Sequence, residues 1–161
     1  VEEACLAVCG NVLYVIGGDN PAEAISGDYF QAFDYRAGQW RELAKSQSKY
    51  SEAACCEYEG KIYVSGGKQN PYDAEVYDPV AGKWCSLGKT SCGQVNHRML
   101  PYANRIWKVG HYIDGECYDG IFDAEFYDPK SYNWYPYTKM REIMTDVDDA
   151  VIVDAVVFKG S

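Results

Sequence analysis

Residues that could carry catalysis are few in this sequence, and they are scattered. The two histidines, His97 and His111, do not have the spacing of metal ligands and do not accompany a cysteine pair. No Gly-x-Ser-x-Gly segment marks a nucleophilic serine. Glycine pairs end two strand-like runs, at Gly17-Gly18 and Gly66-Gly67, but no Gly-Lys-Ser/Thr signature of a phosphate-binding loop directly follows them. The sequence therefore predicts a non-catalytic protein without metal or cofactor, and a structural role for His97.

The seven cysteines indicate reduced thiols rather than disulfides or a zinc site. Their number is odd, and no Cys-x-x-Cys occurs. Cys5, Cys9 and Cys55-Cys56 fall on strand-like runs, where small apolar residues pack. Cys92 and Cys117 fall in predicted loops and are the better candidates for reactive thiols. Because free thiols are typical of reducing compartments, we expect the protein in the cytoplasm or the nucleus.

Acidic and tyrosine side chains are concentrated in the predicted loops, where they suit binding. Tyrosine is an amphipathic anchor, and carboxylates favour a basic or mixed peptide. The formal net charge of −9 and the pI near 4.6 argue against nucleic-acid binding, which needs clustered Lys and Arg. No apolar run reaches the roughly 18 residues of a membrane span. We therefore expect a protein or peptide partner, and neither nucleic acid nor membrane.

The elements that would position these loops recur along the chain. Lys61–Trp84 (KIYVSGGKQNPYDAEVYDPVAGKW) holds a β-branched and aromatic run, a glycine pair, a second strand-like run ending in Tyr-Asp-Pro, a turn and a tryptophan. The same series ends upstream at Trp40 and downstream at Trp134. The tryptophans are 44 and 50 residues apart, and a period of this size marks a repeat protein.

Each repeat contains four short strand candidates separated by turn residues. In the middle repeat they are residues 53–58, 61–65, 74–77 and 83–87. One four-stranded sheet cannot bury a tryptophan well, whereas sheets stacked on one another can. We therefore expect the periodic tryptophans to lie in the core between sheets, together with Trp107 on a strand of the third repeat.

The repeat resembles the Kelch motif, in which a strand ending in Gly-Gly is followed by a Tyr-Asp-type strand and, after a short turn, by Trp. The segment Glu75–Trp84 (EVYDPVAGKW) is most similar to repeats of BTB–Kelch proteins. The third repeat departs from the motif, since Gly110-His111 replaces the glycine pair and Trp107 replaces the strand tyrosine. The resemblance implies an all-β, Kelch-type β-propeller in which each repeat forms one four-stranded blade.

The chain is long enough for three blades and the start of a fourth. The expected bounds are 4–43 for blade one, 53–87 for blade two and 95–137 for blade three, with 138–161 as the start of a further blade or an edge hairpin. Because propellers close with about 4–8 blades and the first residue is Val1, we expect a piece of a longer protein. Two copies of the chain could also pair through open blade edges as a homo-oligomer.

The resemblance implies that partners bind to loops at one end of the propeller. One set of loops follows the glycine pairs, and the other connects each outer strand to the inner strand of the next blade. Several family members place an arginine just before the inner strand, where this chain has Tyr50 and Gln94. The candidate binding residues are Asp19, Asn20, Asp28, Tyr29, Lys49, Tyr50, Ser51, Lys68, Tyr72, Asp73, Gln94, Asn96, His111, Tyr112, Asp114 and Glu116.

By the same resemblance, the expected function is substrate recognition for a cullin–RING ubiquitin ligase, through a BTB domain outside this chain. An actin-binding Kelch protein is the first alternative. A propeller enzyme of the galactose-oxidase type is the second, and the sequence shows no ligand cluster for its metal. Tyr50→Ala and Asp114→Ala are expected to weaken partner binding without lowering the melting temperature, because both positions are predicted in loops.

Overall fold

The computed structural model describes residues 3–20, 25–26, 29–112 and 122–137. These residues form fourteen β-strands, twelve of them in three four-stranded antiparallel sheets and two in a short ribbon. They contain no helix, and so none that could cross a membrane. The prediction of an all-β fold is confirmed, and the sheets follow one another along the chain as three blades. The expected start of a further blade, 138–161, lies outside the described residues.

Each blade is a meander in which sequence neighbours pair. The first strands of neighbouring blades contact each other, so they form the inner side of the array, and the fourth strands are outermost. Blade one consists of β1 (Cys5–Cys9), β2 (Val12–Ile16), β5 (Phe30–Asp34) and β6 (Gln39–Glu42), with the ribbon β3 (Asp19–Asn20) and β4 (Ile25–Ser26) between β2 and β5. Blade two consists of β7 (Ala54–Tyr58), β8 (Lys61–Ser65), β9 (Asp73–Asp78) and β10 (Lys83–Lys89). Blade three consists of β11 (Gln94–Tyr102), β12 (Arg105–Tyr112), β13 (Phe122–Asp128) and β14 (Asn133–Pro136).

The aspartate of the Tyr-Asp-Pro motif closes the hairpin between the third and fourth strands. In blade two, Asp78 Oδ1 accepts hydrogen bonds from the backbone N–H groups of Val80 and Ala81, at 2.9 and 3.1 Å. Asp34 and Asp128 accept the equivalent bonds in the other blades. An aspartate that bonds to the backbone two or three residues onward favours a turn. This turn chemistry recurs because it is local to each repeat.

The glycine pairs are required by the close approach of the next blade. Gly17 has φ of +67°, and a Cβ there would overlap the carbonyl oxygen of Tyr50, on the segment that leads into blade two. The N–H of Gly18 donates to that same carbonyl at 2.7 Å. At the following junction, the N–H of Gly67 donates to the carbonyl of Gln94 at 3.2 Å. The pair therefore serves both the turn and the contact between blades.

Aromatic rings fill the junctions between blades. Between blades one and two, the rings of Phe30, Tyr77 and Trp84 lie 4.8–5.2 Å apart, centroid to centroid. Between blades two and three, Tyr63 packs on Tyr127, and Trp134 joins the same buried cluster. The predicted core role of Trp84 and Trp134 is confirmed, because each reaches back onto the preceding blade.

Trp40 does not lie in such a core, and the prediction for it is wrong. Its side chain is 56% exposed, because blade one is the first of the array and no described blade covers that side of it. Its ring packs on Phe33 of its own blade, with the centroids 5.1 Å apart. Trp107 is half-buried in blade three, where its ring lies 5.0 Å from Phe126 and 5.1 Å from Tyr137.

Candidate functional site

The two sets of predicted binding loops meet at one end of the blades. We call this end the loop face and define it by residues 17–20, 43–53, 66–72 and 90–93. The segments 43–53 and 90–93 are the crossovers from one blade to the next. The loops are joined by hydrogen bonds from Lys68 N–H to Ser51 O (2.9 Å), Asn70 Nδ2 to Lys49 O (3.1 Å), Thr90 N–H to Tyr72 O (2.8 Å) and Gln94 N–H to Pro71 O (3.3 Å).

Glu75 on β9 anchors the first crossover to blade two. Its side chain is buried, and its carboxylate accepts from the N–H groups of Gln47 and Ser48 at 3.1 and 3.0 Å. The hydroxyl of Tyr50 donates to the same carboxylate at 2.9 Å. Burial and the neighbouring Glu75 charge raise the pKa of Tyr50, so the phenol stays protonated and donates. Three donors offset the desolvation of the carboxylate and hold the crossover in place.

Glu125 on β13 anchors the second crossover to blade three in the same way. Its carboxylate accepts from the N–H and the Oγ of Ser91, at 2.9 and 2.7 Å, and from Lys108 Nζ at 3.1 Å. Lys108 and Glu125 are both fully buried. The Lys108 ammonium also donates to Thr90 Oγ1 at 3.0 Å and to the Cys92 carbonyl at 2.7 Å. A buried ion pair survives only when such further bonds satisfy both ions.

The sequence reasoning missed both anchors. Glu75 and Glu125 hold the same position in their repeats, three residues before the turn aspartate, and Gln31 holds it in blade one. Lys108 stands where the other two blades have valine, at Val15 and Val64. A position-by-position comparison of the repeats would have singled out these polar residues on otherwise apolar strands.

Three of the predicted binding residues are buried in the junctions instead, and their assignment to a binding surface is corrected. Tyr50, Ser51 and Gln94 are each 0% exposed. The Ser51 hydroxyl donates to Asp19 Oδ2 at 3.1 Å, and Gln94 Nε2 donates to the Gly110 carbonyl at 3.2 Å. The backbone carbonyls of Tyr50 and Gln94 lie against the glycine pair of the preceding blade, and their side chains are buried in the junction.

The exposed part of the loop face carries mixed charge and one tyrosine. Tyr72 is 39% exposed, and the Lys68 side chain is 56% exposed and pairs with Glu52 and Glu3. Burial opposes the ionisation of Asp73, but hydrogen bonds from Lys89 and Ser48 outweigh it and lower the pKa of Asp73. Of the predicted binding residues on this face, Lys49, Lys68 and Tyr72 are exposed and Asp19 is half-buried. Tyr29 and Asp73, which lie outside the face as defined, are half-buried too. Their role in binding stays a prediction.

The other predicted binding residues lie wholly or partly outside what the structure describes. Asn20, Asn96, His111 and Tyr112 belong to strands whose backbone is described. Asp28, Asp114 and Glu116 lie outside the described residues.

His97 and the thiol of Cys56 are buried, as structural groups are. His97 is 1% exposed, and its Nε2 lies 3.2 Å from Ser65 Oγ. Burial, helped by the charges of Lys108 and Arg98, lowers the pKa of His97 to about 3, so the ring is neutral. The six cysteines that the structure describes are free thiols, and burial raises the pKa of Cys56 to about 12.

Cys92, predicted as a candidate reactive thiol in a loop, belongs to the second crossover but is 6% exposed, so its burial does not suit that role. Cys117 lies outside the described residues. Within the described ranges, no three His, Cys, Asp or Glu side chains are grouped so that they could hold a metal ion.

Stacked four-stranded blades with glycine-anchored loops and crossovers at one end define a β-propeller repeat protein. The chain belongs to the Kelch-repeat family, because the Kelch motif matches residues 3–47 and 49–91. The predicted Kelch-type fold and its likeness to Kelch-like proteins are confirmed. The matched segments cover the first two repeats, which agrees with the departure of the third from the motif.

Several relatives carry the same repeats. Human Kelch-like protein 24 is 30% identical over 118 residues, which cover 68% of this chain and 20% of the relative. Human Kelch-like protein 6 is 29% identical over 93 residues, covering 58% of this chain and 14% of the relative. An F-box/kelch-repeat protein of Arabidopsis thaliana is 25% identical over 164 residues, covering 89% of this chain and 42% of the relative. The chain thus spans about a fifth of the length of the Kelch-like relatives.

A solved structure shows the same fold. The structure of YjhT superposes with a TM-score of 0.67 at 18% identity, covering 84% of this chain and 49% of that one. This likeness concerns the fold alone.

Proposed function

We propose that this chain is a non-catalytic protein-binding module whose loop face receives a segment of a protein partner. The observation that supports this most directly is the anchoring of both crossovers by buried carboxylates, Glu75 and Glu125. Loops that are held before a partner arrives lose less conformational entropy on binding. The scaffold is rigid where recognition would take place.

The partner on the loop face is a peptide segment of mixed or basic charge. Tyr72 offers an exposed ring, and it lies over Gly93, where a Cβ would meet the tyrosine ring at 2.9 Å. Lys45, Lys49 and Lys68 are exposed cations, and Lys68 pairs with Glu3 and Glu52. A ring surrounded by both charge signs suits an amphipathic peptide, with the aromatic contact as its anchor.

The finer part of the proposal is that the parent protein recruits substrates to a cullin–RING ubiquitin ligase. The similarity to Kelch-like proteins 24 and 6 supports it, together with the BTB–Kelch form of Glu75–Trp84. In this arrangement the present chain selects the substrate, and a BTB domain elsewhere in the parent binds the cullin.

The binding role is tested with a random peptide display library selected on the 161-residue chain. Peptides that bind the loop face should lose binding, at least tenfold, to a Lys68→Glu/Tyr72→Ser variant. The matched control is Tyr35→Ser, because Tyr35 is 78% exposed at the opposite end of blade one. Equal loss in both variants, or none in either, would reject the loop face as the binding surface.

The adaptor role is tested separately, with the full-length parent expressed in cells. A cullin that co-purifies with the parent, and is lost when the region outside this chain is deleted, would support the role. Co-purification of actin filaments without a cullin would replace it by the cytoskeletal alternative.

A further inference from the structure

Two thiols from neighbouring blades meet at the inner side of the first junction. Cys5 is the first residue of β1, and Cys55 is the second residue of β7. These inner strands contact each other, and both thiols pack against the buried cluster between blades one and two. A hydrogen bond joins the Cys5 and Cys55 side chains, so their sulfur atoms are neighbours across the junction.

The backbone places the two thiols side by side independently of their own contact. The N–H of Glu52 donates to the carbonyl of Glu3 at 3.2 Å, two residues before Cys5 and three before Cys55. Both strands therefore enter the junction from the same end and at nearly the same level. The Cys5 thiol also donates to the Ile16 carbonyl at 3.6 Å, so β2 helps to orient it. A disulfide needs such neighbouring backbones, because its two Cα atoms must lie about 4.4–6.8 Å apart.

Three neighbouring cysteines are placed less well for this contact. Cys56 is next to Cys55 in sequence, but alternate residues of a strand point to opposite faces, and Cys56 belongs to the cluster between blades two and three. Cys9 lies at the far end of β1, four residues from Cys5, which is about 13 Å along a strand. Cys85 is exposed on the outer strand β10. The fold therefore favours the pair of Cys5 and Cys55.

We propose that Cys5 and Cys55 are a site of reversible oxidation, at which a peroxide converts the two thiols into a disulfide. The bond fixes the inner strands of blades one and two to each other, at the end where the crossover 43–53 enters blade two. It closes residues 5–55, with the whole of that crossover, into a covalent loop. The proposal concerns the covalent chemistry of the first junction and does not depend on the proposed binding function.

The reaction consumes one hydrogen peroxide and consists of two displacements at sulfur and oxygen. The Cys5 thiol loses its proton and attacks one peroxide oxygen, and the O–O bond breaks. The departing hydroxide takes that proton and leaves as water, so Cys5 becomes a sulfenic acid. The Cys55 sulfur then attacks the Cys5 sulfur, the S–O bond breaks, and the departing hydroxide leaves as water with the proton of the Cys55 thiol. Two thiols and one peroxide thus give one disulfide and two waters.

The surroundings of the two thiols assign the order of these steps. The hydrogen bond with Cys5, together with burial, raises the pKa of Cys55, so this thiol keeps its proton until Cys5 has been oxidised. Cys5 is half-buried at the start of the first strand and is the thiol that meets the small oxidant. A low-molecular-weight thiol such as glutathione reverses the bond by two exchange steps and becomes a disulfide itself. In a reducing compartment the bond is therefore transient.

The test is disulfide mapping of the folded 161-residue chain by mass spectrometry, after brief treatment with hydrogen peroxide and blocking of the remaining thiols. We expect a cross-link between the peptides that contain Cys5 and Cys55, and dithiothreitol should remove it. Several results would overturn the proposal: no cross-link, a link through another cysteine or between two chains, or oxidation of Cys5 to a sulfinic acid without a link. A cross-link that forms as fast in the urea-unfolded chain would also overturn it, because the fold would then play no part.

Matched variants separate this pair from its neighbours. Cys5→Ala introduces the residue that blade two has at the equivalent position, Ala54, and should abolish the cross-link. Cys55→Ala should do the same, whereas Cys9→Ala and Cys56→Ala should leave the cross-link in place. If an alanine variant fails to fold, fragmentation of the linked peptides from the unaltered chain distinguishes Cys5 from Cys9 and Cys55 from Cys56. A link through Cys9 or Cys56 would then reject the proposal.

Discussion

At the residue scale, Tyr50 shows how a residue predicted on a loop becomes part of the core. Its ring is 0% exposed and its hydroxyl donates to the buried Glu75 carboxylate. Tyr50→Phe should lower the free energy of unfolding by about 1–3 kcal/mol, because a buried charge loses one of its donors. Urea denaturation measures the change. Tyr72→Phe is the control, and since Tyr72 is exposed its effect should stay within about 0.5 kcal/mol.

This expectation replaces the earlier one that Tyr50→Ala would spare stability. Removal of the whole ring should cost about 3–5 kcal/mol, as for other buried aromatic residues. An unchanged melting temperature for Tyr50→Ala would contradict the buried position.

A second prediction at the residue scale concerns how much the buried ion pair of Lys108 and Glu125 contributes to stability. Lys108→Val should destabilise the chain by about 3–5 kcal/mol, because it leaves the Glu125 carboxylate buried without its counter-ion. The double variant Lys108→Val/Glu125→Gln should recover much of the loss, since blade one combines Val15 with Gln31 at these positions. Chemical denaturation of both variants gives the comparison, and a double variant no more stable than the single one would argue against a charge effect.

The neutral His97 predicts how stability changes with pH. The pKa of His97 in the folded chain, about 3, lies below the ordinary value of 6.5. Between these pH values the unfolded chain therefore binds a proton at His97 and the folded chain does not. The stabilisation is complete above about pH 6.5, and it declines as the pH falls towards 3, by up to about 1.4 kcal/mol per unit. Urea midpoints measured at several pH values should fall more steeply for the unaltered chain than for His97→Gln. Parallel curves would mean that His97 titrates normally.

At the element scale, Gly17 and Gly38 distinguish the cost of a left-handed backbone conformation from the cost of a clash with the next blade. Gly17 and Gly38 have similar positive φ, +67° and +64°, but a Cβ at Gly17 would overlap the Tyr50 carbonyl and a Cβ at Gly38 would meet nothing within 4 Å. Gly38→Ala should therefore cost about 1–2 kcal/mol from the left-handed conformation alone. Gly17→Ala should cost about 1–3 kcal/mol more, because blade two must move. Thermal unfolding compares them, and equal losses would deny the close approach.

Strands and hairpins were the elements that the sequence predicted best. The alternation of β-branched and aromatic residues, and the Asp-containing turns, depend on neighbours within one repeat, so they could be read locally. The sequence did not predict the ribbon of β3 and β4 or the irregular end of β10. In the ribbon, Asp19 accepts a hydrogen bond from Ser51 on the crossover to blade two, a contact between residues distant in sequence.

At the scale of the whole molecule, blade one presents an apolar side that none of the described residues covers. Leu6, Val8 and Trp40 are 59%, 60% and 56% exposed there. Exposed apolar patches on stacked sheets favour association. We therefore expect the solution mass of the 18.1 kDa chain to rise with concentration in light scattering. Trp40→Lys should reduce the rise.

Val80→Lys is the matched control, because Val80 is 98% exposed on a turn away from that surface. A constant monomer mass over the whole concentration series would contradict association through the open side of blade one. So would an equal effect of the two lysine variants.

The sequence by itself determined the number of described blades, the order of their strands, the glycine pairs and the turn aspartates. These features repeat at intervals of 44 and 50 residues. The strands and the turn aspartates depend on contacts that are close along the chain, whereas the glycine pairs could be recognised only because they recur, since the contact they serve is with the next blade. Only the tertiary structure decided which loop residues face solvent. Tyr50, Ser51 and Gln94 are buried because other segments of the fold meet them there, through partners such as Glu75, Asp19 and Gly110. Burial of this kind is set by partners distant in sequence, and no local pattern records it.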